Sequence, residues 1–124
     1  MSVHPVAAKI VDEYKQLYPA SRERHQRLVK YIPGGATRSL SYFKPWPIHI
    51  DYGKGAHVYT HDGHELLDVT NAYGALVHGH GDPDVVAAVQ AGIARGSQYS
   101  TPTDGQYHLA KLLCDRVPGF DKVR

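Results

Sequence analysis

A single arginine, Arg38, stands in a loop whose other residues are mostly small, hydroxyl-bearing or aromatic. The loop runs from residue 34 to 47 and reads GGATRSLSYFKPWP. A guanidinium holds a carboxylate through two parallel, charge-assisted hydrogen bonds, which the point charge of lysine cannot reproduce. Tyr42 and Phe43 can wall a hydrophobic pocket beside it. The segment therefore predicts a small-molecule site that binds a carboxylate. The open alternative is a surface arginine in a salt bridge, with the aromatic side chains packed onto the fold.

Nine histidines raise the question of a metal site. His78 and His80 are spaced to share a strand face, and His57, His61 and His64 gather near a predicted hairpin. No pair combines helical i, i+4 spacing with a general base between its members, and no thiolate joins them. We predict no metal ligands, and we expect His80 to hold the loop before the next helix.

Composition places the chain among ordinary globular proteins. Of 124 residues, 42% are hydrophobic and 21% charged, and the formal net charge is +2. Without a run of Lys or Arg, the sequence predicts no nucleic-acid or membrane-surface partner. The single Cys114 excludes an internal disulfide framework and a cysteine-based zinc site. No apolar run reaches the ~18–20 residues of a membrane span, and no signal peptide is recognisable, so a cytoplasmic location is expected.

Four apolar residues near the N-terminus recur at helical spacing: Val6, Ile10, Tyr14 and Leu17. This period predicts a first helix, which Pro19 is expected to stop. Ser21 is a residue type that caps helix N-termini. We therefore predict a second helix from Ser21 through Lys30, ended by the Pro-Gly-Gly at residues 33–35.

A small antiparallel meander is predicted after the loop. Ile48 and Ile50 alternate with polar neighbours, and residues 52–55 are expected to form a turn. Asp62-Gly63, between two apolar runs, is the type of pair that tight hairpins prefer.

Two further helices are predicted in the second half. Asp82 is expected at the N-cap of one helix, with Pro83 at its first position. Its buried stripe is predicted to consist of Val85, Val86, Val89 and Ile93. Thr103 and Gln106 form the capping box of a last helix that runs to Val117. The final FDKVR predicts the entry to a strand, and we expect the chain to be truncated there.

Three segments of the sequence carry a shared pattern: YIPGGATRS, GKGAHVYTHDGHELLDVTNAYGALVHGHGDPDVVAAV and TPTDGQYHLAKLLCDRVPGFDKVR. Together they resemble the class III pyridoxal-phosphate aminotransferases, in the branch that includes glutamate-1-semialdehyde aminomutase and β-amino-acid transaminases. The positions that match the family pattern are Gly53, Gly55, Asp62-Gly63, Asp68, Gly79-His80 and Pro83. Thr60-His61 departs from it, because the family often has an acidic residue before Asp-Gly.

The resemblance implies an α/β chain, the N-terminal segment of a fold-type-I transferase. Residues 1–69 would supply helices, the substrate loop and the meander, and residues 70–124 the start of the large cofactor-binding domain. The phosphate loop and the Schiff-base lysine would follow Arg124, so we assign no catalytic and no cofactor-binding residue within the chain. The parent enzyme would be a homodimer that uses pyridoxal 5'-phosphate, and the chain alone would be inactive.

The resemblance also assigns roles in substrate binding. Arg38 is similar in position to an arginine that binds the substrate carboxylate in β-amino-acid transaminases, and Tyr42 and Phe43 would line the pocket. Tyr73 matches a position where the family has an aromatic side chain facing the substrate. The substrates implied are an amino acid and an oxo acid. Aminomutases have their arginine three residues later, where this chain has Ser41, which favours amino transfer.

Two alternatives remain open. Within the enzyme class, the parent could be an aminomutase or a related racemase. Outside it, the chain could be a non-enzymatic, histidine-rich binding module that is complete at 124 residues.

Overall fold

The computed structural model describes residues 5–38 and 42–124. They fall into two compact units, Met1–Pro83 and Asp84–Arg124. The division at residue 69/70 that the resemblance implies for the whole family fold stays a prediction. Within the described residues, no helix is long and apolar enough to cross a membrane.

Two consecutive helices open the first unit: α1 spans Pro5–Leu17 and α2 spans Pro19–Leu28. The first helix is as predicted. The second begins two residues before the predicted Ser21, because Pro19 has a φ suited to the first helical position and no N–H to leave unpaired. The prediction of Ser21 as a cap is wrong, since Ser21 lies inside the first turn and is fully buried.

A three-stranded antiparallel sheet follows, in the order β1 (Ile50–Lys54), β2 (His57–Thr60) and β3 (Glu65–Leu67). The predicted turn at residues 52–55 begins too early. Tyr52, Gly53 and Lys54 pair with β2, and Lys54 lies opposite His57, so residues 55 and 56 form the turn. The hairpin at Asp62-Gly63 is confirmed between β2 and β3.

Aromatic residues pack α1 against the chain that leads into the sheet. Trp46 is 8% exposed, and its indole Nε1 donates to the Tyr18 carbonyl at 3.1 Å. The Tyr14 hydroxyl donates to the Trp46 carbonyl at 2.6 Å, and the two rings lie 6.0 Å apart. Burial raises the pKa of Tyr14 to about 12, with smaller contributions from Tyr18 and Asp62. Trp46 therefore has a structural role, packing against Tyr14 and Tyr18.

The Asp62 carboxylate caps α2 from the far hairpin. Its Oδ1 accepts the Ala20 amide at 2.6 Å, and its two oxygens accept the Ser21 amide at 3.3 and 3.2 Å. The Ser21 hydroxyl also donates to Asp62 and accepts the His49 amide at 2.9 Å. Helix N-termini leave amides without intrahelical partners, and a carboxylate there is further stabilised by the helix dipole. One side chain thus joins the helix, the sheet and the entry to β1.

Two imidazoles lie beside this network. The rings of His25 and His49 are 6.4 Å apart. His25 Nδ1 and His49 Nε2 are buried and have no hydrogen-bond partner among the described residues. Burial lowers the pKa of His49, and His25, His61 and Arg24 lower it further, while the opposing effect of Asp62 is smaller.

The second unit holds helix α4 (Asp104–Arg116) and nearly all of helix α3 (Pro83–Ile93), which begins at the boundary. Both predicted helix starts are confirmed, including the Thr103–Gln106 capping box. The predicted buried stripe of α3 is wrong for this chain, since its four apolar side chains are 41–61% exposed. An apolar stripe needs a facing surface, and the described part of this unit has no strand. The predicted strand at residues 120–124 is likewise absent there, because a strand requires a pairing partner.

Removing the long-range cap should destabilise the fold. We expect Asp62→Ala to lower the free energy of unfolding by about 1–2 kcal/mol, the typical cost of losing a helix cap. The measurement is urea denaturation followed by circular dichroism. Asp12→Ala is the matched control, because within residues 5–38 and 42–124 Asp12 is paired with Lys15 alone, at the surface. This substitution should change stability by less than about 0.5 kcal/mol. Equal effects of the two substitutions would contradict the capping role.

His49 should make stability depend on pH. Its folded-state pKa is lowered from 6.5, so the unfolded chain takes up the proton first as the pH falls. The contribution of His49 is complete above pH 6.5 and is lost between 6.5 and its lowered folded pKa. An NMR titration of the His49 ring should give a midpoint below 6.5, and His49→Gln should flatten the pH dependence of unfolding in this range. A midpoint at or above 6.5 contradicts the account.

Candidate functional site

The loop after α2 forms an open pocket around Arg38. A short 3₁₀ turn, Pro33–Gly35, starts the loop, and the Gly35 amide donates to the Ile32 carbonyl at 2.8 Å. The pocket has a volume of about 230 Å³ and is lined by Pro33, Gly34, Ala36, Arg38 and Tyr42. Arg38 itself is exposed. The structure therefore brings together two of the predicted site residues, Arg38 and Tyr42. Residues 39–41 between them, including Ser41, lie outside the described residues.

Phe43 contacts a different part of the fold. Its ring meets the Tyr14 ring edge-on at a centroid distance of 6.5 Å, while 46% of its surface stays exposed. Phe43 thus extends the aromatic packing of α1, and its exposed side is free to face a ligand. Its predicted role in the substrate pocket stays a prediction.

A second, mainly apolar pocket lies on the same loop. Its volume is about 370 Å³, and its lining consists of Leu28, Ile32, Gly35, Ala36, Thr37, Pro47, Ile48, His49 and Ile50. Ala36 lines both pockets. The loop therefore presents a cation on one pocket and apolar surface with the His49 imidazole on the other.

Tyr73 lies in a strained turn that follows β3. Asn71, Ala72 and Tyr73 all have left-handed backbone angles, with φ of 47°, 47° and 59°, and Gly74 follows at 86°. Left-handed helical conformation costs roughly 1–2 kcal/mol for each residue with a side chain. We call Asn71–Gly74 the left-handed turn. It leaves the Tyr73 side chain 69% exposed, and strain of this kind clusters at functional sites.

The Asp68 carboxylate holds the start of this turn. Its Oδ1 accepts the amides of Thr70 at 3.0 Å and Asn71 at 2.9 Å, and its Oδ2 lies 2.8 Å from His80 Nε2. The Asn71 amide is the largest cause of a lowered Asp68 pKa, followed by the His80 hydrogen bond and then Thr70. The carboxylate is thus held in its charged form, which accepts three hydrogen bonds.

His80 is fixed in place by close backbone packing. The amide and carbonyl of His80 each bond to Gly55, both at 2.8 Å. A Cβ at Gly53 would lie 2.4 Å from the imidazole Cγ, and one at Gly79 would lie 2.6 Å from the Gly55 carbonyl oxygen. These glycines therefore admit the ring and the chain that carries it. Asp68, Asn71, His78 and His80 line an adjoining pocket of about 400 Å³.

The other hairpin histidines have separate partners. His57 Nδ1 lies 3.9 Å from Glu65, His61 Nδ1 lies 3.5 Å from Asp51, and His64 Nε2 lies 2.9 Å from the Leu17 carbonyl. Across residues 5–38 and 42–124, no group of three or more His, Cys, Asp or Glu side chains is arranged to hold a metal ion.

Sequence reasoning missed the left-handed turn and the role of Asp68 in it. Asn71 and Gly74 tolerate positive φ and gave a partial signal, whereas Ala72 and Tyr73 have no such preference. The expected role of His80, holding the loop before α3, is borne out by its bonds to Asp68 and Gly55.

Comparison with known proteins gives a family. The family model for class-III aminotransferases matches residues 41–124. A curated relative, the glutamate-1-semialdehyde 2,1-aminomutase of Methanopyrus kandleri, is 37% identical over 111 residues, which are 90% of this chain and 26% of the relative. The chain therefore spans about a quarter of the length of the curated relatives it matches.

Several solved structures of transaminases are also similar to this chain. An omega-transaminase from Sphaerobacter thermophilus is 40% identical with a TM-score of 0.80, covering 83% of this chain and 24% of that one. A β-phenylalanine aminotransferase from Variovorax paradoxus is 30% identical with a TM-score of 0.88, covering 93% and 27%. A transaminase with pyridoxal phosphate bound is 33% identical with a TM-score of 0.79, covering 83% and 24%. The α/β fold expected from the sequence is thus confirmed, and the chain belongs to the class-III aminotransferase family.

Proposed function

We propose that this chain is the substrate-recognition segment of an enzyme that moves an amino group between an amino acid and an oxo acid. The observation that carries the proposal is the pocket in which Arg38 and Tyr42 meet. An amino-acid substrate always presents a carboxylate, and the proposed role of Arg38 is to bind it through two parallel hydrogen bonds.

The surroundings of Arg38 support this role. Among the described residues, Arg38 has no hydrogen bond or ion pair, and its side chain is exposed at the pocket. The ring of Tyr42 lies against Gly34, where a Cβ would be 3.5 Å from Cδ2, so an aromatic wall stands beside the cation. This pairing suits a substrate with a carboxylate next to an apolar group.

Tyr73 and Phe43 are proposed to form further walls of the substrate site. The strained backbone of Tyr73 supports a ligand contact, because strain of this kind clusters at functional sites. The similarity to a β-phenylalanine aminotransferase favours a β-amino acid with an apolar side chain as the donor.

Pyridoxal phosphate is the cofactor proposed for the complete enzyme, and when bound it would supply the electron sink for amino transfer. The residues described here do not fit an anchor for it. Lys9, Lys15 and Lys111 form ion pairs along their own helices, and no lysine lines the pockets described above. No chemical step is therefore assigned to the cofactor within this chain. A homodimer in the cytoplasm is the proposed setting.

A second candidate is an aminomutase, which shifts the amino group within one molecule. The 37% identity to glutamate-1-semialdehyde 2,1-aminomutase favours it. Against it stands the position of Arg38, three residues before the position where the resemblance has the arginine of aminomutases. We therefore propose transfer between two molecules.

Substitution of Arg38 tests the proposal in the complete natural protein. We expect Arg38→Ala to lower kcat/KM for the amino-acid donor roughly 10–100-fold, because hydrogen bonds to charged groups contribute about 1.5–3 kcal/mol. Arg38→Lys should lose an intermediate amount, since it keeps the charge without the paired geometry. Steady-state kinetics with the amino acid and with the matching amine, which lacks the carboxylate, provide the measurement.

Two controls make the result specific. The amine should react equally well with the parent protein and with Arg38→Ala. Arg27→Ala, which removes an exposed arginine from α2, should leave both substrates unaffected. An unchanged kcat/KM for the amino acid in Arg38→Ala would contradict the carboxylate-binding role of Arg38.

A further inference from the structure

We propose that Asp68 and His80 are positioning residues that hold the left-handed turn, and through it Tyr73, in its substrate-facing orientation. The inference rests on the proposed function for the part that concerns substrate. Its structural part stands on the contacts of the two residues.

The turn needs an external support because its own residues disfavour it. Ala72 and Tyr73 have positive φ angles without the conformational freedom of glycine. Such a conformation persists only where the surrounding structure determines it. Within the turn, the Tyr73 amide donates to Thr70 at 2.9 Å, and the Ala75 and Leu76 amides donate to Ala72 and Asn71 at the long distance of 3.4 Å. Two of these internal distances are therefore at the long end for a hydrogen bond.

Asp68 supplies that support from one side. Its Oδ1 accepts the two amides that lead into the turn, those of Thr70 and Asn71. The Asp68 amide donates to the Ala56 carbonyl at 2.9 Å, which ties the residue to the sheet. Asp68 thus links the residues just before Tyr73 to the sheet through hydrogen bonds.

His80 fixes the other oxygen of the carboxylate. Its Nε2 lies 2.8 Å from Asp68 Oδ2, while its backbone is paired to Gly55 in both directions. Because the ring packs directly over Gly53, it has little room to turn away. Both Asp68 oxygens are therefore held, and the carboxylate cannot rotate without losing a hydrogen bond. The residues that hold the turn are separate from the side chain that contacts substrate.

The first test needs no activity. In the complete natural protein, amide hydrogen exchange of Thr70 and Asn71 is compared among the parent, Asp68→Ala and Asp51→Ala. Asp51 is the matched control, an aspartate on β1 whose carboxylate lies 3.5 Å from His61. We expect exchange to be about tenfold faster or more in Asp68→Ala and unchanged in Asp51→Ala. Unchanged exchange in Asp68→Ala overturns the proposal whether or not the protein is an aminotransferase.

The second test is a kinetic double-mutant cycle between Asp68→Ala and Tyr73→Ala. If Asp68 acts through Tyr73, the double variant should lose no more kcat/KM than Tyr73→Ala alone. Asp68→Asn should restore much of the loss, because its side-chain oxygen still accepts the two amides. His80→Ala should show the same coupling to Tyr73 with a smaller loss.

The outcomes separate the proposal from the proposed function. Additive losses in the cycle, with amino transfer intact in the parent, overturn the positioning role and leave the function standing. If the unsubstituted protein shows no amino-transfer activity, the proposed function and the part of this inference that concerns substrate are overturned. The hydrogen-exchange result still decides whether Asp68 and His80 hold the turn.

Discussion

The Asp68 carboxylate is the constraint on which the chain around the left-handed turn depends most. Its two oxygens satisfy the Thr70 and Asn71 amides and the His80 imidazole at 2.8–3.0 Å. These hydrogen bonds, led by that of the Asn71 amide, favour the charged form and lower the pKa of Asp68. A turn of three consecutive left-handed residues is intrinsically unfavourable, so it depends on support of this kind from the surrounding structure.

A second carboxylate, Asp62, performs the matching structural task at the other end of β3. It caps α2 and, through Ser21, fixes the chain that enters β1. The loop carrying Arg38 leaves the C-terminal end of α2, and the chain that follows the loop is held at His49, whose amide donates to Ser21. The hairpin between β2 and β3 therefore carries the cap of α2, and the end of β3 carries the carboxylate that contacts the left-handed turn.

Sequence reasoning succeeded where the signal was local. Thr103 and Gln106 are three residues apart, so their capping box could be predicted. The hairpin at Asp62-Gly63 could be predicted for the same reason. Arg38 and Tyr42 are also close enough in the chain to be expected in one pocket. It failed where partners were distant. Ser21 was predicted to cap α2 because nothing local reveals that Asp62, 41 residues away, does so. The stripe of α3 was predicted to be buried because its pattern cannot show what faces it.

Transfer of the amino nitrogen between two different molecules is the measurement that tests the central claim most directly. The complete protein, with pyridoxal phosphate, would be given an amino acid labelled at its amino nitrogen, an unlabelled oxo acid, and in a parallel reaction glutamate-1-semialdehyde. Our account predicts that mass spectrometry finds the label in the product of the oxo acid, with an apolar β-amino acid as an effective donor. Absence of label from that product with every donor tried, or isomerisation of glutamate-1-semialdehyde alone, would contradict it.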